Sequence, residues 1–334
     1  MKKLLIFFLV IGVLISCNKD MSDQFYPDPT KAINDTTWTT KTISQGFIDT
    51  IKNSIGILPT FTIVFPCGSD MLMNLNDSLQ VSFPPYTIAD PTNNTPYTGG
   101  NVQVDVTELR NKGDFIKKLI PTTSTKYLLE SAGSFYVSVS RNVNGVVIPA
   151  TLASNGYVYL KWLDANPRSS MQLFNGAYLT NLDSFFTWKP NTNTTGYVTT
   201  WDSTNSSINK KGYSLTSKTL GWLNADAFLD TVTTARTRAN ILMASANFTN
   251  KNTLVFMIFK NQRTVVKLSP DYTNRCFYSL NIPVGASVTL LSLSFIDSVL
   301  YMGTKDVIVS SADKISLLPQ KTTVQNALAT INNL

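Results

Sequence analysis

The chain has 334 residues, 43% of them hydrophobic, and a formal charge of +7, which is enough apolar material for two domains or one large β domain. It contains no histidine, and that removes Ser-His-Asp and Cys-His catalysis, histidine acid–base chemistry and the usual zinc sites. Two glutamates, Glu108 and Glu130, stand against nineteen aspartates, and the cations are scattered, with no basic stripe to suit a nucleic-acid partner.

Met1, Lys2 and Lys3 make a positive start, and Leu4 to Ile15 is an apolar run interrupted by Gly12. The run is too short for a permanent membrane helix and has the layout of a signal peptide over 1–16. Leu14, Ile15 and Ser16 ahead of Cys17 resemble a bacterial lipobox, with a branched apolar residue three back and a small residue one back. The resemblance implies cleavage between Ser16 and Cys17, with the Cys17 thiol as the nucleophile that accepts lipid. An ordinary signal peptide with an incidental cysteine is the alternative. Loss of Lys2 and Lys3 would leave a charge of +5. Each buried methylene of an acyl chain contributes roughly 0.8 kcal/mol, so two or three chains anchor the protein durably. Asn18, where Asp would mark inner-membrane retention, favours the outer membrane, on its periplasmic face or at the cell surface. Residues 17–37 are polar, carry Pro27 and Pro29, and read as a lipidated flexible tether.

From Trp38 the chain turns to short β-prone runs. "FTIVFP" (61–66), "LQVSFP" (79–84) and "NVQVDVTEL" (101–109) alternate, the last with Val102, Val104 and Val106 on one face. "GSFYVSVS" (133–140) repeats the pattern, "RNVNGVVI" (141–148) carries an Asn144-Gly145 hairpin signal, and "GYVYLKWL" (156–163) follows. Strands at this spacing predict a sandwich or barrel. Residues 189–219, rich in Thr, Asn, Ser and Lys, read as a polar seam between domains. Strands are expected again at 252–259, 264–269, 276–283, 287–296, 298–304 and 306–311. At the end, Val324, Leu328, Ile331 and Leu334 make a helical stripe with Thr322 or Thr323 as N-cap. The expected fold is mainly β, two β-sandwich-like domains at 38–188 and 220–334, with one short C-terminal α-helix.

Three segments, "TGGNVQVDVTELRNKGDFIKKLIPTTSTKYLLESAGSFYVSVSRNVNG" (98–145), "KTLGWLNADAF" (218–228) and "IPVGASVTLLSLSFIDSVLYMG" (282–303), together resemble poorly characterised β-rich lipoproteins of the Bacteroidota. The resemblance implies an exported lipoprotein and brings no activity or ligand. Six Asp-Ser/Thr steps are similar to the O-glycosylation sequon of that group, with acceptors Thr36, Thr50, Ser78, Ser203, Thr231 and Ser298. Turn initiation by Asp-Ser/Thr is the competing explanation.

Among the aromatics, Trp188, Tyr197 and Trp201 flank the seam and are the candidate ligand-stacking residues, with core packing as the competing role. In "LGWLNADAFLD", Trp222, Asn224 and Asp226 form either a ligand cluster or a turn or helix cap. Cys67 and Cys276 are read as two buried thiols in preference to a disulfide. No calcium loop, Walker or dinucleotide pattern occurs, so no metal and no cofactor is expected, and no catalytic residue is assigned. The expected function is a non-catalytic binding or structural module of the cell envelope, bound to the membrane by its lipid, with a glycan or an envelope protein as partner. The alternative is a carbohydrate-active enzyme using aspartates, which needs two convergent carboxylates in a cleft.

Overall fold

The computed structural model describes residues 37–41, 43–178, 186–192, 196–203, 210–229, 235–311 and 314–334. The signal segment, Ser16, Cys17, Thr36 and Thr231 lie outside the described residues. The chain is mainly β, and Thr37–Leu334 forms one compact unit.

Two antiparallel sheets make the first sandwich. One runs in the order β1 (Thr60–Pro66), β5 (Asn101–Leu109), β6 (Leu129–Val143), β14 (Gly221–Phe228), β10 (Gln172–Tyr178) and β11 (Phe186–Pro190), with β7 (Val146–Pro149) also on β6. Its partner runs β12 (Tyr197–Ser203), β13 (Lys210–Ser217), β9 (Val158–Leu163), β3 (Leu79–Phe83) and β2 (Met71–Asn76). A short pair, β4 (Ile88–Ala89) and β8 (Thr151–Leu152), stands beside them. Val102, Val104 and Val106 point inward as the alternation predicts, joining Val137 and Val139 of β6 and Val81, Leu160 and Leu215 of the opposite sheet. The Asn144-Gly145 turn forms with both residues at positive φ, 53° and 84°, the geometry that a two-residue hairpin loop requires.

The second sandwich follows. One sheet has the order β18 (Ser269–Asp271), β19 (Cys276–Pro283), β15 (Arg236–Met243) and β22 (Lys314–Leu317), the last pair parallel. The other has the order β17 (Val265–Lys267), β16 (Thr253–Phe259), β20 (Ser287–Ile296), β21 (Val299–Ile308) and β23 (Gln320–Lys321). Ala239, Ile241 and Phe277 meet Val255, Met257, Val288 and Leu290 in its core. The alternate residues of β16, Leu254, Phe256 and Ile258, face the other way into a third apolar layer. That layer is built from helices α1 (Gln45–Ile55), α2 (Lys112–Lys117) and α3 (Val324–Asn332), together with Phe174, Phe186 and Trp188. Every residue of β16 is therefore buried, which is why its sequence is a continuous apolar run.

The C-terminal helix is present with Thr323 as its N-cap, whose side chain accepts from the amide of Asn326 at 3.1 Å. Thr323→Ala should lower stability by about 1 kcal/mol; an unchanged urea midpoint would contradict that role. Helix α1 was not anticipated, although Ser44 as N-cap and Ile48, Ile51 and Ile55 on one face mark it. The six-residue α2 is too short for a periodic signal.

Three expectations are corrected. Residues 189–219 are not a seam: they supply the end of β11, all of β12 and all of β13, with Tyr213 and Leu215 buried in the first core. Their Thr and Ser residues suit a strand whose other face is polar. The segment at 221–228 is neither a turn nor a helix cap but strand β14, set between β6 and β10 in the first sheet. The first sandwich consequently extends past residue 220, and the second begins at β15, so the expected boundaries at 188 and 220 do not hold. The strands expected at 298–304 and 306–311 are one continuous strand, β21. Cys67 and Cys276 are both buried and free, and burial pushes both thiols up from their ordinary value.

Candidate functional site

A charged cleft of about 550 Å³ opens where the end of the first sandwich meets the loop before β17. Clefts between packed bodies are a common place for small-ligand sites. Arg110 comes from the end of β5, Glu130 from β6, Asp164, Asn166 and Arg168 from the chain after β9, and Asn261 and Arg263 from the β16–β17 loop. Each lining carboxylate is held by an arginine: Asp164 by Arg263 at 2.6 Å and Glu130 by Arg168 at 2.8 Å. Arg110 turns back to Glu108 at 3.0 Å and donates to the carbonyl of Leu163. Burial works against the Arg110 charge and Glu108 supports it. Tyr213 closes the floor, and its hydroxyl accepts from the amide of Arg168 at 2.7 Å. Burial pushes that phenol up, so it stays protonated at neutral pH.

Behind the cleft wall, β6 carries a bulge. Ala225 pairs with Gly133 and Asp226 with Ser131, leaving Ala132 as the extra residue. Asn224 and Asp226 are fully buried there. Asn224 donates to Asp226 at 2.6 Å and accepts from Ser131 at 2.8 Å. Burial raises the Asp226 carboxyl well above its ordinary value, against the opposing hydrogen bonds from Ser131 and Asn224. The group sits in the wall and does not line the cleft.

A second candidate is the outer face of the sheet β12-β13-β9-β3-β2. The register sets three rows across it. Tyr197, Thr216, Tyr159, Ser82 and Leu72 form the first, and Thr199, Ser214, Lys161, Gln80 and Asn74 the second. Trp201, Gly212 and Leu163 begin the third. No carboxylate points from these positions. Tyr197 is 55% exposed. The Trp201 indole donates to the carbonyl of Tyr213 at 3.0 Å, and the Lys161 ammonium sits 4.2 Å from its ring centre. Gly212 is required beneath it, because a Cβ there would lie 1.9 Å from the carbonyl oxygen of Trp162. Tyr197 and Tyr159 stand two strands apart, about 10 Å.

The structure separates the residues expected together. Tyr197 and Trp201 share this face. Trp188 does not: it is buried in the third layer, donates to the carbonyl of Pro121 at 2.9 Å and packs on Phe186. Trp222 lies against Tyr136 and Phe186, on the same face of β14 as the buried Asn224 and Asp226, opposite Leu223, Ala225 and Ala227. The charged cleft was missed because its residues come from five distant segments. Of the candidate glycan acceptors, Ser298 is exposed in the β20–β21 turn at a φ of 63°. Ser78 lies in the β2–β3 turn and donates to Asn76, Ser203 ends β12, and Thr50 is on α1 with its hydroxyl bonded to the carbonyl of Gly46.

The β6–β7 hairpin tip exposes a run of apolar side chains, Val143, Val146, Val147 and Ile148. Among the described residues no helix is long and apolar enough to cross a membrane, and no group of three His, Cys, Asp or Glu side chains is placed to hold a metal. The fold and these surfaces describe a two-sandwich β protein with one charged cleft and one aromatic sheet face. No family model matches the chain, and neither curated proteins nor solved structures give a relative.

Proposed function

We propose that the chain is an outer-membrane lipoprotein, anchored through Cys17, that acts as a non-catalytic glycan-binding module. The observation that carries the glycan reading is the open sheet face with Tyr159, Tyr197 and Trp201 among Thr, Ser, Asn, Gln and Lys side chains, and no carboxylate. Aromatic rings present flat apolar surface to sugar C–H groups, while the short polar side chains take the hydroxyls. The Lys161–Trp201 contact is worth about 0.5–1 kcal/mol at such a site, so a sugar ring displaces it easily.

The test is electrophoresis of the full chain through gels containing neutral polysaccharides: xylan, mixed-linkage β-glucan and mannan. At least one should retard the protein, and Trp201→Ala with Tyr197→Ala should abolish the retardation while the free energy of unfolding falls by only about 1–2 kcal/mol, for the lost indole hydrogen bond and cation–π contact. Equal retardation of the double variant would overturn the sheet face as the site. The anchor has its own test. Cys17→Ala should abolish palmitate labelling and release the protein from the membrane fraction; persistent labelling would sink the lipobox reading.

The hairpin tip favours a second reading, an envelope-protein partner docking on Val146 and Val147. The catalytic alternative draws on the cleft. Against it, both lining carboxylates are engaged by arginines, and the buried Asp226 lies behind the wall.

A further inference from the structure

We infer that the charged cleft is a second binding site, one that takes the carboxylate-bearing end of an acidic sugar. The argument starts from donors and acceptors. Three guanidinium groups line the cleft and each is paired with one carboxylate, Arg110 with Glu108, Arg168 with Glu130 and Arg263 with Asp164. Arg168 and Arg263 each spend one terminal nitrogen on a carboxylate. An arginine has five N–H donors in a fixed fork, so both keep donors for a ligand carboxylate, which a guanidinium binds bidentately.

Tyr213 adds an independent observation. The residue is fully buried and belongs to the cleft lining, and its hydroxyl oxygen accepts from the amide of Arg168. No acceptor for its own proton exists among the described residues, so the proton is available to a ligand oxygen. The remaining groups suit hydroxyls: Glu130 and Asp164 as acceptors, Asn166 and Asn261 as either. A ligand that uses all of them has one carboxylate and several hydroxyls on a compact frame. The volume, about 550 Å³, lies in the range of small-ligand pockets. A uronic acid residue fits this chemistry; a neutral sugar leaves the unspent guanidinium donors without a carboxylate, and a bare anion leaves the acceptors unused.

The site is distinct from the aromatic face, and the tests use different probes and residues, so either can fail alone. The experiment is calorimetric titration of the full chain, in detergent, with D-glucuronate, D-galacturonate, D-glucose and acetate. A uronate should bind about tenfold or more tightly than glucose, the worth of one charge-assisted bidentate contact, and about tenfold or more tightly than acetate, which lacks the hydroxyls that the acceptors and amides take. Arg168→Gln should remove that preference, and Arg168→Lys should restore it only in part, because an ammonium lacks the fork. Arg168 is about half exposed and lies on a loop, which keeps the variant folded; Asn166→Ala, on the same exposed loop, gives a second reading of the same site. Equal binding of glucose, equal binding of acetate, no binding of either uronate, or an unchanged uronate affinity in Arg168→Gln would each overturn the assignment.

Discussion

Phe256→Ala lowers the free energy of unfolding by about 3–5 kcal/mol, the range for deleting a buried phenylalanine ring. The expectation is at the upper end for a structural reason. Phe256 is completely buried on β16 and faces the layer formed by α1, α2, α3 and the edge of the first sheet. Its neighbours Val255 and Met257 face the core of the second sandwich. A cavity at Phe256 is walled by helices on one side and a sheet buried on both faces on the other, so collapse around it is restricted. The same layer holds Trp188 and Ile331, which come from parts of the chain far apart in sequence. Loss of packing there should weaken both sandwiches in one transition, read by urea denaturation followed through tryptophan fluorescence. Two separate transitions, with the first sandwich unaffected, would show that the layer does not couple them.

Asp226→Asn raises stability at neutral pH and has little effect near pH 4. Burial raises the folded-state pKa of Asp226. Above about pH 4, the ordinary carboxyl range, the unfolded chain releases this proton while the folded protein keeps it. The folded state then binds more protons, so stability falls by about 1.4 kcal/mol for each pH unit until the folded pKa is reached. Asparagine keeps an oxygen to accept from Asn224 and has no such proton to take up. The difference between wild type and variant should therefore grow from pH 4 to pH 7 in parallel urea titrations. A constant difference across that range would mean that Asp226 is ionised in the folded protein.

Most strands were legible because one of their faces is polar. Val102, Val104 and Val106 alternate with Gln103, Asp105 and Thr107, and Asn144-Gly145 specified its turn. The pattern failed where its assumption failed. β14 buries both faces, with Asn224 bonded to Ser131 and to one oxygen of Asp226 while the other Asp226 oxygen has no partner, so polar letters there signalled a loop that does not exist. β13 looks like linker because its outward positions are Thr216, Ser214 and Gly212, and only the inward Tyr213 and Leu215 give the strand away. Tyr197 and Trp201 could be named as candidates from sequence, but only the register shows that Tyr159, across β13, joins them while Trp188 leaves for the interior. The cleft had no sequence signal, because Arg110, Glu130, Asp164, Arg168 and Arg263 converge only through the pairing of distant strands.

The most direct measurement is hydroxyl-radical footprinting of the full chain with and without whichever neutral polysaccharide retards it. The account predicts protection at Tyr159, Tyr197 and Trp201 on the sheet face, with the exposed Tyr272 and Tyr127 unchanged. Protection elsewhere, with these three rings as reactive as before, would contradict it.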